Sequence, residues 1–180
     1  MEEKKPITHI TAGLILAGVL IIFSEVMMAI QGDEVSGTRS GTQWIVYLVV
    51  IGALIYFINQ YAKANHNEMS FGNLFAFGFK ITAVFSAISV LYMLVFPYIH
   101  PEFKQQAIDA ARVEMEKQKD FNESKMETAM SILEKYFWVF AIGGSLIGNL
   151  VLGCVGSLIG AAVTKKNKRN PMQQIDQLDS

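Results

Sequence analysis

The stretch FWVFAIGGSLIGNLVLGCVGSLIGAAV, residues 137–163, decides the fold of this chain, and no residue in it is charged. As a helix it would be roughly 40 Å long, which exceeds the ~30 Å thickness of a bilayer's hydrocarbon core. The five-residue sequence GSLIG occurs at 144–148 and again at 156–160. Each copy places glycines four residues apart, a spacing that lets membrane helices approach closely. The stretch therefore predicts a membrane-spanning helix that packs tightly on its neighbours.

The small residues of this helix are predicted to share about half of its circumference, at about 100° per residue. The glycines expected to form the packing face are Gly144, Gly148, Gly153, Gly156 and Gly160. Bulky residues such as Phe140, Ile147 and Val151 fall on the other side, which suits contact with lipid. Asn149 lies in the middle of the small face, where its side chain would either hydrogen bond to another helix or contact a ligand.

Three further apolar runs precede this one, at residues 10–30, 43–62 and 72–98. The first run is longer than the 7–15 residues typical of a signal-peptide core, and the sequence from Met27 to Gln31 makes a poor cleavage site. We therefore interpret it as an uncleaved first span. The sequence predicts one integral membrane domain, residues 1–180, with four spans.

Residues 101–136 differ from the spans, since they carry eight acidic and six basic side chains. Their apolar residues recur at helical spacing, and the pattern continues into the span at 137–163. The predicted fold is therefore all-α, a four-transmembrane-helix bundle with an extramembrane helical hairpin between helices 3 and 4. The basic tail at 165–180 is expected to be disordered beyond Pro171.

Composition excludes several classes of function. The 180 residues are 52% hydrophobic with a formal net charge of −1, which argues against a nucleic-acid partner. The single cysteine, Cys154, has no partner for an intramolecular disulfide. No phosphate-binding loop, zinc-type spacing or nucleophile motif is present. We expect no enzymatic activity, no metal and no cofactor.

The basic residues predict the orientation. Four spans place both termini on one side, and that side carries Lys4, Lys5, Lys63, Lys165, Lys166, Lys168 and Arg169. Because basic residues are retained in the cytoplasm, we expect both termini to be cytoplasmic and the hairpin to lie outside.

Two ionisable residues, Glu25 and Lys80, lie within apolar runs, where each costs roughly 2.5–3.5 kcal/mol on insertion scales. If the first and third spans begin at the same membrane edge, the two differ in depth by about 9 Å. Three interpretations follow: two interfacial residues whose charges reach the headgroups, a structural ion pair, or a transport or proton-relay site.

Several short motifs occur along the chain: Ser70-Phe71-Gly72, Phe75, Gly78-Phe79-Lys80, the stretch Tyr98-Ile99-His100-Pro101-Glu102-Phe103, and Gly156-Ser157-Leu158-Ile159 before Lys165-Lys166. Together they resemble the DUF4199 family of small bacterial membrane proteins of unknown function. The resemblance implies a four-helix protein of the bacterial inner membrane, with a helical insert before the last span. It supplies no catalytic or binding residues.

Two functional hypotheses remain. The first is a non-enzymatic bundle that lies in the lipid bilayer and packs with itself, as a homo-oligomer, or with another membrane protein. The second is a small transporter or channel subunit that uses Glu25 and Lys80. Their relative position in the folded bundle separates the two hypotheses.

Overall fold

The computed structural model describes residues 7–31, 39–117 and 123–167. These residues form five helices and no strand: α1 (His9–Gln31), α2 (Arg39–Ala64), α3 (Phe71–Ile99), α4 (Phe103–Glu116) and α5 (Glu123–Val163). The helices α1, α2, α3 and α5 are long and apolar enough to cross a membrane. The predicted all-α architecture is therefore confirmed, with four helices that are long and apolar enough to span a membrane. Most of the predicted tail, from residue 168 onward, lies outside the described residues.

The four long helices do not pack equally on one another. The helix α5 packs extensively on α3 and on α2, while α1 packs mainly on α3. Side-chain contacts make α5 antiparallel to α3, since Gly153 lies against Thr82 and Gly78 lies against Ser157. We call the end with the α2–α3 loop and Val163 the loop end, and the opposite end, which carries α4, the hairpin end.

The main hydrophobic core lies toward the loop end. Its fully buried side chains include Leu54 and Ile58 from α2, and Leu74 and Ile81 from α3. At the loop end, the residues after α5 are also held in place. The backbone N–H of Asn167 donates to the Asn67 carbonyl oxygen, and its Nδ2 donates to the His66 carbonyl oxygen, both at 2.8 Å.

The second copy of GSLIG packs inside the bundle. A methyl group added at Gly156 would lie 2.7 Å from Leu54 Cδ1, and one at Gly160 would lie 2.6 Å from Ile58 Cδ1. A methyl group at Gly153 would overlap the side chain of Thr82. These three glycines therefore lie where the backbone of α5 approaches α2 and α3 too closely for a larger residue.

The first copy of GSLIG does not pack inside the chain, contrary to the prediction. A methyl group at Gly144 or Gly148 would meet nothing within 4 Å. Gly144 is nine residues from Gly153, which at about 100° per residue places it on the opposite side of α5. The face of α5 that packs on the described helices covers less of the circumference than the small residues do. Gly144 and Gly148 lie on the exposed surface beside Ile147.

The predicted helical hairpin consists of α4 and the first part of α5. Ile108, Met130 and Phe137 form its small buried core, and partly buried apolar residues such as Phe103 and Leu133 surround them. The helix α5 continues from the hairpin into the last span, as the apolar spacing predicts. At the junction, Tyr136 departs from helical geometry, with φ −112° and ψ 19°, and the helix kinks there.

Candidate functional site

The position of Glu25 follows from the packing of α1 on α3. A methyl group at Gly13 of α1 would lie 2.6 Å from Val84 Cβ of α3, so these residues are at the same level. The two helices run parallel, and twelve residues further along each helix lie Glu25 and Phe96. Glu25 is therefore placed between Tyr92 and His100, which lie one turn to either side of Phe96.

Both carboxylate oxygens of Glu25 have partners on or next to α3. The Tyr92 hydroxyl donates a hydrogen bond to Oε1, and His100 Nε2 lies 3.1 Å from Oε2. A carboxylate in an apolar run is costly unless donors surround it. These two partners explain how α1 accommodates an acidic residue near its hairpin end.

His100 ends α3, because Pro101 follows it and disfavours a helical conformation for the preceding residue. Its backbone N–H donates to the Phe96 carbonyl oxygen at 2.9 Å. The imidazole is only 18% exposed and lies against the Phe96 ring, with centroids 4.8 Å apart. Its Nδ1 lies 3.8 Å from Glu102 Oε1. The ring is thus placed between two carboxylates, one facing each nitrogen. We call Glu25, Tyr92, His100 and Glu102 the Glu25–His100 cluster.

A row of aromatic rings connects this cluster with the hairpin. The Phe96 ring contacts Tyr92 at 5.5 Å and Phe103 of α4 at 4.9 Å, measured between centroids. Phe103 in turn lies 6.4 Å from Phe137, which belongs to the hairpin core. The cluster therefore lies where α1, α3 and the hairpin of α4 and α5 meet.

Lys80 does not belong to this cluster. The ion pair with Glu25, one of the three interpretations of the sequence, is not formed, because the partners of Glu25 are Tyr92 and His100. By the register of Gly13 on Val84, Lys80 is level with His9, the first residue of α1. That is sixteen residues, or roughly 24 Å of helix, from Glu25. The depth estimate failed because it assumed that both spans begin at one edge, whereas α3 extends beyond α1 at the loop end. The Lys80 side chain is exposed.

Asn149 is half-buried on α5, one turn from Gly153 toward the hairpin end. The contact of Gly153 with Thr82 puts it at the level of Ser86 on α3. Among the described residues, neither the Asn149 side chain nor the buried Ser86 hydroxyl has a hydrogen-bond partner. The interhelical hydrogen bond expected of Asn149 is therefore not formed within the described part of the chain.

The chemistry available at the cluster is proton and charge chemistry. A carboxylate, a phenol and an imidazole are joined by hydrogen bonds, and a second carboxylate lies on the far side of the imidazole. Within residues 7–31, 39–117 and 123–167, no three His, Cys, Asp or Glu side chains are grouped to hold a metal ion. The sequence singled out Glu25 but not Tyr92 or His100.

Comparison with known proteins identifies the family. A search of curated proteins and a search of solved structures each gave no match. A family model described as "Protein of unknown function (DUF4199)" matches residues 11–166. The match includes all four long helices and α4, together with every residue of the Glu25–His100 cluster. The resemblance noted from the short motifs is therefore confirmed, and the chain belongs to the DUF4199 family.

Proposed function

We propose that this protein is a non-enzymatic integral protein of the bacterial inner membrane that assembles with a second copy of itself through the outer surface of α5. One observation carries the proposal. Of two identical GSLIG sequences on the same helix, the one at 156–160 packs within the chain, whereas a methyl group added at Gly144 or Gly148 of the other would meet none of the described residues within 4 Å. A close-packing motif is thus left open on the surface.

The surroundings of the open motif fit a helix–helix contact. Gly144 and Gly148 form a shallow groove, and beside it Phe140, Ile147 and Val151 are each more than half exposed. In a symmetric pair, the bulky residues of one helix would lie beside the glycines of the other. Such contacts depend on close backbone approach, because lipid offers apolar side chains no hydrophobic gain from association.

The alternative of a transporter or channel subunit loses its main support. It required Glu25 and Lys80 to share one pathway, but they lie roughly 24 Å apart along the helix axes. Lys80 is exposed toward the loop end, while Glu25 has its own partners at the hairpin end. An interfacial position fits Lys80 best, with its ammonium group reaching the headgroups.

We expect Gly148→Leu to weaken self-association in lipid vesicles about tenfold, which corresponds to ~1.4 kcal/mol. The leucine would fill the groove and force the two helices apart, at the usual overpacking cost. Energy transfer between differently labelled copies, measured over a range of protein-to-lipid ratios, gives the dissociation constant.

The matched control is Gly52→Leu on α2, because Gly52 is exposed and a methyl group there also meets nothing within 4 Å. This variant should associate as the unmodified protein does. Energy transfer no greater than that of a monomeric membrane protein would refute the proposal, as would equal effects of the two substitutions.

The proposed topology places both termini in the cytoplasm. A reporter that is active only in the cytoplasm should give a signal when fused after Ser180 and none when inserted between residues 104 and 116 of α4. The reason is the surplus of basic residues on the terminal side. A signal at both sites would exclude an arrangement of four membrane spans.

A further inference from the structure

The position of the hairpin relative to the bundle depends on few contacts. Among the described helices, α4 packs mainly on α5, with a ring contact from its Phe103 to Phe96 of α3, and α5 kinks at Tyr136. On the other side, the three residues 100–102 join α4 to the end of α3. The Glu25–His100 cluster lies at this junction and touches α1, α3 and the start of α4.

The protonation state of His100 determines whether its ring can interact with the carboxylates of both Glu25 in α1 and Glu102 at the start of α4. A neutral imidazole has one N–H and one lone pair, whereas an imidazolium has two N–H donors. Nε2 faces Glu25 and Nδ1 faces Glu102, and an ionised carboxylate only accepts hydrogen bonds. Only the charged ring can therefore interact favourably with both carboxylates at once.

We propose that His100 is a proton-operated latch that fixes the extramembrane hairpin to the membrane bundle. With the ring charged, Glu25 of α1 and Glu102 at the start of α4 are both attracted to it. When the ring loses its proton, one carboxylate faces a lone pair, and the tie between α4 and α1 is lost. This inference does not depend on self-association through α5.

Other ionisable groups around the latch do not duplicate its role. Tyr92 of α3 donates a hydrogen bond to Glu25. Lys104 lies in the first turn of α4 and is partly exposed, and on α5 the exposed, oppositely charged Glu134 and Lys135 precede Phe137. Histidine is the side chain among these whose charge ordinarily changes between pH 5 and 8.

Glu102 is free to serve the latch. It occupies the N-cap position of α4, yet its side chain makes no capping hydrogen bond to that helix. Its carboxylate lies toward His100 instead, at 3.8 Å from Nδ1. Replacing the carboxylate with an amide provides a sharp test, because the amide NH₂ of glutamine can donate to the lone pair of a neutral ring.

The latch is tested by a distance measurement between α1 and α4 on the full chain in lipid nanodiscs. Spin labels are placed at Ile22→Cys and Asp109→Cys, both exposed positions, in a Cys154→Ser background. We expect a narrow distance distribution at pH 5.5 and one about twofold broader at pH 8, since α4 is released.

Three variants test which residues cause the pH-dependent broadening of the distance distribution. His100→Gln should remove the pH dependence, and Glu102→Gln should keep the distribution narrow at both pH values. The matched control His66→Gln, in the α2–α3 loop at the other end, should respond as the parent does. The latch is excluded if the parent shows no broadening, or if Glu102→Gln broadens at pH 8 as the parent does. Because Glu102 is exposed, this second variant gives an answer even if His100→Gln fails to fold.

Discussion

Gly153→Leu is expected to lower stability more than any other glycine substitution in the last span, by about 3 kcal/mol, the upper end of the usual overpacking range. Even a methyl group at Gly153 would overlap the Thr82 side chain. Thr82 is fully buried, and its hydroxyl donates to the Gly78 carbonyl oxygen at 3.1 Å. The threonine cannot turn away without losing this hydrogen bond, so α3 and α5 must move apart.

Separation of the two helices would also disturb the next contact along them. One turn further toward the loop end, a methyl group at Gly78 would lie 2.7 Å from Ser157 Oγ, so α3 and α5 are in close contact there too. Ser157 is itself fully buried. A side chain inserted at Gly153 therefore strains two adjacent turns of the largest helix interface in the protein.

The measurement is the unfolding midpoint in detergent micelles, with Gly148→Leu as the matched control on the same helix. Gly148 meets nothing within the chain, so its leucine variant should unfold close to the unmodified protein when the protein is monomeric. Equal losses at the two positions would mean that the assignment of the buried and exposed sides of α5 is incorrect. Gly148→Leu also distinguishes an effect on folding from an effect on self-association. We expect it to weaken self-association in vesicles without lowering the unfolding midpoint in detergent.

The helical architecture could be predicted from the sequence because its apolar runs are long. Runs such as 72–98 and 137–163 are long and apolar enough to predict helices that could cross a membrane. The hairpin was predictable for a related reason: the apolar spacing from Met126 through Leu133 continues without a break into the last span. What the spacing did not indicate is the kink at Tyr136, which depends on how the hairpin packs.

The side of α5 that packs was only partly predictable. Both GSLIG copies have the same residues and spacing, and the twelve-residue offset between them places them about 120° apart around the helix. Which copy meets a neighbour depends on where α2 and α3 cross α5, and those crossings follow from the whole bundle. Gly156 and Gly160 lie at a crossing, whereas Gly144 lies half a circumference away from the packed side.

The partners of Glu25 depend on the register between two helices distant in sequence. Gly13 packs on Val84, and in this register α3 extends further toward the loop end than α1 does. Tyr92 and His100 therefore lie beside Glu25, and Lys80 lies far from it. Tyr92 is an unremarkable member of an apolar run, and His100 was visible only as part of a family motif. An acidic side chain in an apolar run requires hydrogen-bond donors, but the sequence contains several candidate donors and does not indicate which of them lies beside Glu25.

Double-mutant cycles distinguish Tyr92, an observed partner of Glu25, from Lys80, the partner considered from the sequence. In the cycle of Glu25→Leu with Tyr92→Phe, we expect a coupling free energy of about 1 kcal/mol in detergent unfolding. Hydrogen bonds to charged groups contribute ~1.5–3 kcal/mol, and the lower value reflects a Glu25 side chain that is 36% exposed. Each single change leaves a polar group without its partner, and the double variant removes both groups.

The control cycle pairs Glu25→Leu with Lys80→Met. Because these two residues share no partner and lie far apart along the helices, their effects should add to within ~0.3–0.5 kcal/mol. A coupling in this cycle as large as that with Tyr92 would indicate an ion pair between Glu25 and Lys80. It would contradict the register set by Gly13 and Val84. Additivity in both cycles would mean that Glu25 is held by neither residue, and the hydrogen bond from Tyr92 would then contribute nothing measurable to the stability of the bundle.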